Sequence, residues 1–68
     1  MDEVIFLVSE SPEGGYEAKS IANAIFTEAD SLDELRSAVR EAVSCHYEEA
    51  DRPKMVRLHF TRDEVFAV

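Results

Sequence analysis

Apolar and polar residues along the chain alternate with the periods of a small sheet and one helix. Residues 4–8 are all apolar and rich in β-branched and aromatic types, which predicts a central strand covered on both faces. Residues 16–21 and 55–61 alternate between apolar and polar side chains, as half-buried strands do. Residues 24–27 predict a short strand, with Asn23 in the turn before it.

The sequence also predicts a turn between the first two strands and a cap at the start of the helix. Pro12, Gly14 and Gly15 predict a hairpin between the first two strands, because glycine accepts positive φ at little cost. Ser31-Leu-Asp-Glu34 has the pattern of a capping box, in which the serine hydroxyl accepts from the amide three residues later. Helical spacing then predicts a helix from about Leu32 to His46 or Tyr47, with an apolar stripe of Leu32, Leu35, Val39, Ala42, Val43 and His46.

The order of these elements predicts the fold class. We expect a single α+β domain over residues 1–68, with an antiparallel sheet of four or five strands and one helix packed across it. The order is β-β-β-α-β, and residues 65–68 form either a last short strand or an extended segment. One helix covers only one sheet face, so apolar residues remain for self-association. We therefore predict a dimer or tetramer, with Phe6 and Val8 at the interface between copies.

Composition limits the classes of protein that fit. A chain of 68 residues with 46% hydrophobic residues is a globular domain rather than a disordered segment. No apolar run approaches the ~20 residues that span a bilayer, and no basic segment precedes an apolar one at the start. Cys45 is the only cysteine, so no internal disulfide forms, and we expect it to be a partly buried helix residue. These features favour a cytoplasmic protein without membrane contact.

The charge narrows the choice of partners. Fifteen acidic and seven basic residues give a formal net charge of −8, which opposes binding to nucleic-acid phosphates. The acidity serves solubility, or it forms a surface complementary to a basic partner. For the second case the candidates are Glu10, Glu13 and Glu17 around the hairpin, with a second acidic set near the helix start that consists of Glu28, Asp30 and Asp33.

Neither a metal site nor a catalytic site is predicted. Cys45, His46 and His59 lack the spacing of zinc ligands, and His59 is expected to be exposed. No nucleophile elbow, phosphate-binding loop or dinucleotide fingerprint occurs in the chain. We therefore expect no cofactor, no metal and no catalytic residue.

Three motifs in order resemble the HicB-like antitoxin family. They are Glu13-Gly-Gly-Tyr-Glu-Ala18, then Thr27-Glu-Ala-Asp-Ser-Leu-Asp-Glu34, and then Val39-Arg-Glu-Ala-Val43. The resemblance covers roughly residues 4–47 and implies a β-β-β-α-β domain that dimerises or tetramerises. It also implies a partner, namely a small basic toxin that cleaves RNA and is blocked by the antitoxin.

The chain departs from this family in two places. After residue 47 it has no segment like the DNA-binding domain that many members carry. Ser20-Ile-Ala-Asn-Ala-Ile-Phe26 also replaces the family's proline- and glycine-containing loop. The alternative function is therefore a homo-oligomeric accessory protein without a toxin partner.

Overall fold

The computed structural model describes residues 2–22 and 24–68, which form one α+β domain. Its elements are, in chain order, β1 (Glu3–Glu10), β2 (Tyr16–Ser20), β3 (Phe26–Ala29), α1 (Leu32–His46) and β4 (Met55–Phe60). The predicted β-β-β-α-β order is therefore confirmed. The third strand lies two residues later than predicted, and the turn assigned to Asn23 falls outside the described residues.

The four strands form one sheet in the order β3-β2-β1-β4, so β1 is central as predicted. β1 pairs antiparallel with β2, and β2 pairs antiparallel with β3. β4 runs parallel to β1, with Val4 opposite Val56 and Val8 opposite Phe60. The sheet is therefore mixed, and the prediction of a wholly antiparallel sheet was wrong. The physical reason is the crossover through α1, which returns the chain across the sheet before β4 begins.

The core lies between α1 and the sheet face that carries the even-numbered residues of β1. Phe6, Val8 and Leu35 are completely buried there, together with Val4, Ala18, Ile25, Val39 and Val43. Each large aliphatic or aromatic side chain in such a core contributes about 1.5–3 kcal/mol. Phe6 and Val8 are thus inaccessible to another copy, and their assignment to an oligomer interface was wrong. The accessible apolar residues of β1 are Ile5 and Leu7, on the face opposite α1.

The helix begins and ends where the sequence predicts. The Ser31 Oγ accepts from the amide of Glu34 at 3.2 Å, and the Tyr47 amide donates to the Val43 carbonyl at 3.1 Å. Leu35, Val39 and Val43 form the buried stripe. His46 lies three residues beyond Val43 and is exposed, with its ring edge-on to Tyr47.

Cys45 also differs from its prediction, because it is exposed rather than partly buried. It lies two residues after Val43, which places it about 200° around the helix from a buried position. Residues 61–68 are exposed and form no strand, so they are the extended alternative of the two that the sequence left open. Within the described residues, no helix is long and apolar enough to cross a membrane.

Candidate functional site

The hairpin between β1 and β2 folds closely over the end of β3. The Gly14 amide donates to the Ser11 carbonyl at 3.0 Å, and the Ser11 amide donates to the Gly15 carbonyl at 2.9 Å. Both glycines have positive φ, +100° at Gly14 and +83° at Gly15. A Cβ at Gly15 would lie 2.6 Å from the Ala29 carbonyl oxygen. This close approach brings the hairpin next to the start of α1.

The contact creates an acidic cleft at the β3 edge of the sheet. The cleft has a volume of about 590 Å³, and no lysine or arginine is among the residues that line it. Its carboxylates come from the hairpin, from β3 and from the start of the helix; they are Glu13, Glu28, Asp30 and Glu34. Acidic residues also suit this position because the helix dipole is positive at its N-terminal end.

The three glutamates predicted to form one acidic surface around the hairpin lie in different places in the structure. Of Glu10, Glu13 and Glu17, only Glu13 lines the acidic cleft. Strand alternation places Glu10 on the helix side, beyond the covered part of β1, and Glu17 on the open face. Glu10 and Glu17 therefore lie on opposite faces of the sheet, and only Glu13 of the three lines the cleft. Partner binding by these residues stays a prediction.

The second acidic set contributes more to the cleft than the sequence indicated. Glu28 and Asp30 line the cleft, whereas Asp33 forms an ion pair with Arg36 at 2.7 Å. Glu34 was noted only for its role in the helix cap. Its place in the cleft depends on how α1 packs beside β3, which residue spacing does not encode.

The carboxylates of the cleft do not converge on one point. Within residues 2–22 and 24–68, no three His, Cys, Asp or Glu side chains are close enough to hold a metal ion. Carboxylates that do not converge on one point produce a spread negative potential. Such a potential attracts an extended basic surface of another protein.

A second depression, the β4 groove, lies on the other side of the helix. Val56, Leu58 and Phe60 are in register with the core residues of β1, so they face the helix side of the sheet. Val56 is nevertheless 36% exposed and Phe60 52% exposed, because α1 packs over the β2–β3 half of the sheet. The groove has a volume of about 650 Å³, and its apolar floor consists of Val39, Val43, Val56, Leu58 and Phe60.

The rim of the β4 groove is basic, although the protein as a whole is acidic. Four of the seven lysines and arginines of the chain line it, namely Arg36, Arg40, Arg52 and Lys54. Arg52 donates to the Ser44 carbonyl at 3.3 Å, and no aspartate or glutamate lines the groove. Among the described residues, Arg40 and Lys54 form no ion pair. Oppositely charged surfaces therefore lie at opposite edges of the sheet.

The sheet face away from α1, here called the open face, carries scattered apolar residues. Its exposed large side chains include Ile5, Leu7, Phe26 and Met55. Arg57 and Glu3 form an ion pair on the same face, with Nε to Oε1 at 2.5 Å and Nη2 to Oε2 at 3.3 Å. The hydrogen bond from Arg57 lowers the pKa of Glu3 below its ordinary value. His59 is exposed on this face, as predicted.

The fold and its two depressions define a small one-helix α+β domain with an acidic surface at one sheet edge and a basic-rimmed groove at the other. The chain belongs to the UPF0150 family. It is 51% identical over 55 residues to a UPF0150 protein of Archaeoglobus fulgidus, covering 81% of this chain and 82% of the relative. It is 39% identical over 66 residues to a UPF0150 protein of Thermotoga maritima, covering 97% of this chain and 93% of the relative. No protein-family profile and no solved structure matches the chain.

Proposed function

We propose that this chain is an antitoxin-like interaction module that binds a small basic RNA-cleaving protein through the acidic cleft and the adjacent Glu17. The observation that carries the proposal is the cleft itself. It gathers four carboxylates from three elements and has no cation in its lining. The function is to occlude the partner's RNA-binding surface.

Charge complementarity supports this choice of partner. A protein that binds and cleaves RNA must present lysines and arginines to the phosphate backbone. The net charge of the chain is −8, and four of its seven cations lie at the β4 groove, away from the cleft. The cleft side is therefore more negative than the average surface, which accelerates association with a basic protein.

The family resemblance supports the same function independently of the charge. The cleft is built by the hairpin motif Glu13-Gly-Gly-Tyr-Glu-Ala18 and by the segment of residues 27–34. Both belong to the stretch that resembles HicB-like antitoxins. The close packing of Gly15 on Ala29 gives a physical reason for the paired glycines in that motif.

A matched pair of charge-reversal variants tests the proposal. In the test variant Glu13, Glu17 and Glu28 become lysine, and in the control variant Glu48, Glu49 and Asp51 become lysine. Both carry the same change in net charge, and the control residues are exposed in the segment after α1. Each variant is co-expressed and purified with the product of the adjacent gene, and association rates are measured at low and high salt.

We expect the test variant to associate about tenfold more slowly at low salt, because it loses electrostatic steering, while the control changes much less. The difference should shrink at roughly 1 M salt, where the Debye length falls to about 3 Å. Equal effects of the two variants would show that net charge alone matters. Failure of the unmodified chain to bind the neighbouring product or to relieve its toxicity would refute the toxin partner.

The second candidate function is a homo-oligomeric accessory protein without a toxin partner. The observation that favours it is the open face, where Leu7 is 41% exposed, Phe26 58% and Met55 63%. Self-association combined with absence of any complex with the adjacent gene product would select this function. A complex whose formation depends on the acidic cleft would select the antitoxin-like function.

A further inference from the structure

The β4 groove has an apolar floor, and the segment that follows β4 has exposed apolar side chains. Segment 62–68 has the sequence Arg-Asp-Glu-Val-Phe-Ala-Val. Val65 is 94% exposed, Phe66 is 79% exposed and Val68 is fully exposed. Thr61 is the last hydrogen-bonded residue in the described part of the chain, and residues 62–68 make no hydrogen bond there. Exposure of these apolar side chains to water costs free energy, so their burial on another surface would stabilise the protein.

The segment projects away from the groove of its own chain. The Thr61 amide and hydroxyl both donate to the Val8 carbonyl, at 2.8 and 3.2 Å, which fixes the direction in which the chain leaves β4. The molecule measures 52 × 20 × 17 Å, and its radius of gyration is 13.3 Å, against about 11 Å expected for a compact chain of this length. β1 spans about 27 Å and seven extended residues about 23 Å. The combined length of β1 and the extended segment therefore accounts for the long axis of the molecule.

We propose that segment 62–68 of one copy lies in the β4 groove of a second copy, and that two copies exchange these segments reciprocally. The exchange requires no reversal of the chain at Thr61, whereas filling the groove of the same chain does. β4 is an edge strand, so its outer backbone groups are available to pair with an added strand. Residues 65–68 then form a strand in the dimer only.

The chemistry of the segment matches that of the groove. Asp63 and Glu64 precede the apolar residues of the segment, and the rim of the groove carries Arg40 and Lys54 beside an apolar floor. In an extended strand Glu64, Phe66 and Val68 lie on the same side. When Phe66 and Val68 pack on the apolar floor of the groove, the Glu64 carboxylate therefore lies near its basic rim. The six residues of β4 span about 20 Å, close to the reach of the segment.

This interface is separate from the proposed toxin-binding surface. The acidic cleft lies at the β3 edge and the groove at the β4 edge, three strand spacings or about 14 Å across the sheet. One surface is acidic and the other has a basic rim, so a variant of one leaves the other intact. The inference therefore stands or fails independently of the toxin partner.

Complementary variants of the full chain provide the test. Phe66→Asp places a charge in the segment, and Phe60→Asp places one in the groove floor at a position that is already 52% exposed. Phe26→Asp, on the open face and 58% exposed, is the matched control. Sedimentation equilibrium across micromolar concentrations measures dimerisation, and circular dichroism verifies that each variant is folded.

We expect the unmodified chain to have twice its 7.7 kDa mass and the control to behave like it. Phe66→Asp and Phe60→Asp should each weaken dimerisation about tenfold or more. An equimolar mixture of these two variants should recover part of the association, because the mixed dimer contains one intact segment in one intact groove. This recovery requires that the segment of one copy contacts the groove of the other copy.

Three outcomes would overturn the inference. The first is a monomeric mass throughout the concentration range, which would also follow if the segment folded into its own groove. The second is a dimer that Phe26→Asp disrupts and the other two variants do not, which would assign the interface to the open face. The third is a failure of the mixture to associate better than the separate variants.

Discussion

Glu17 and Glu28 lie directly opposite each other across the antiparallel β2–β3 pair, on the open face of the sheet. Like charges in this position repel and lower stability. Among the described residues, neither glutamate belongs to an ion pair that would offset the repulsion. Glu28 also lines the acidic cleft. The fold therefore holds repelling carboxylates where the proposed function requires negative charge.

Glu28→Lys should stabilise the domain while weakening its association with a basic partner. The substitution turns a repulsive cross-strand pair into an attractive one, which should raise the free energy of unfolding by about 0.5–1 kcal/mol. Urea denaturation measures the change, and Glu48→Lys is the control because it alters net charge equally in an exposed segment. In the double variant with Glu17→Lys, two lysines repel again, and the gain should disappear. An equal gain in the control would attribute the effect to net charge.

Gly14 and Gly15 should differ in their tolerance of alanine. Both have positive φ, so a Cβ at either position introduces backbone strain of about 1–2 kcal/mol. At Gly14 the added atom meets nothing within 4 Å, whereas at Gly15 it lies 2.6 Å from the Ala29 carbonyl oxygen. Gly15→Ala should therefore destabilise the fold clearly more than Gly14→Ala. Chemical denaturation of both variants checks this, and equal losses would contradict the close packing on β3.

Ser31→Ala should destabilise the domain by about 1 kcal/mol, because the Glu34 amide loses its acceptor at the helix start. Ser37→Ala is the control, since Ser37 is an exposed residue within α1, where alanine has the higher helix propensity. Denaturation midpoints of the two variants give the comparison. If Ser31→Ala left both the midpoint and the denaturant slope unchanged, the cap would not contribute to stability.

The Glu3–Arg57 pair should make stability depend on pH in the acid range. The hydrogen bond from Arg57 lowers the pKa of Glu3 in the folded state below the ordinary value of 4.5. The pair therefore stabilises the fold fully above the unfolded pKa, and this stabilisation is lost as pH falls through the lower folded pKa. Glu3→Gln should be less stable than the unmodified chain at neutral pH and equal to it in strong acid. The difference should vanish at all pH values when Arg57 is also replaced by Gln.

Local sequence rules determined the elements of this domain. The capping pattern at Ser31 and the helical spacing of Leu35, Val39 and Val43 fixed both ends of α1, because helix caps and amphipathic spacing act within a few residues. The uninterrupted apolar run of residues 4–8 indicated the central strand, because a strand that is covered on both faces carries apolar residues on both. The paired glycines indicated the hairpin turn, and their positive φ angles agree with that interpretation.

Tertiary packing decided the direction of β4 and the position of α1, and these two features create both candidate surfaces. The residue pattern does not show that β4 runs parallel to β1, or that Val56 and Phe60 remain partly uncovered. An alternating strand pattern looks the same in either direction and does not identify the face that a helix covers. Pairing direction and helix placement depend on contacts between residues distant in the chain. For that reason Phe6 was expected at an interface although it lies in the core.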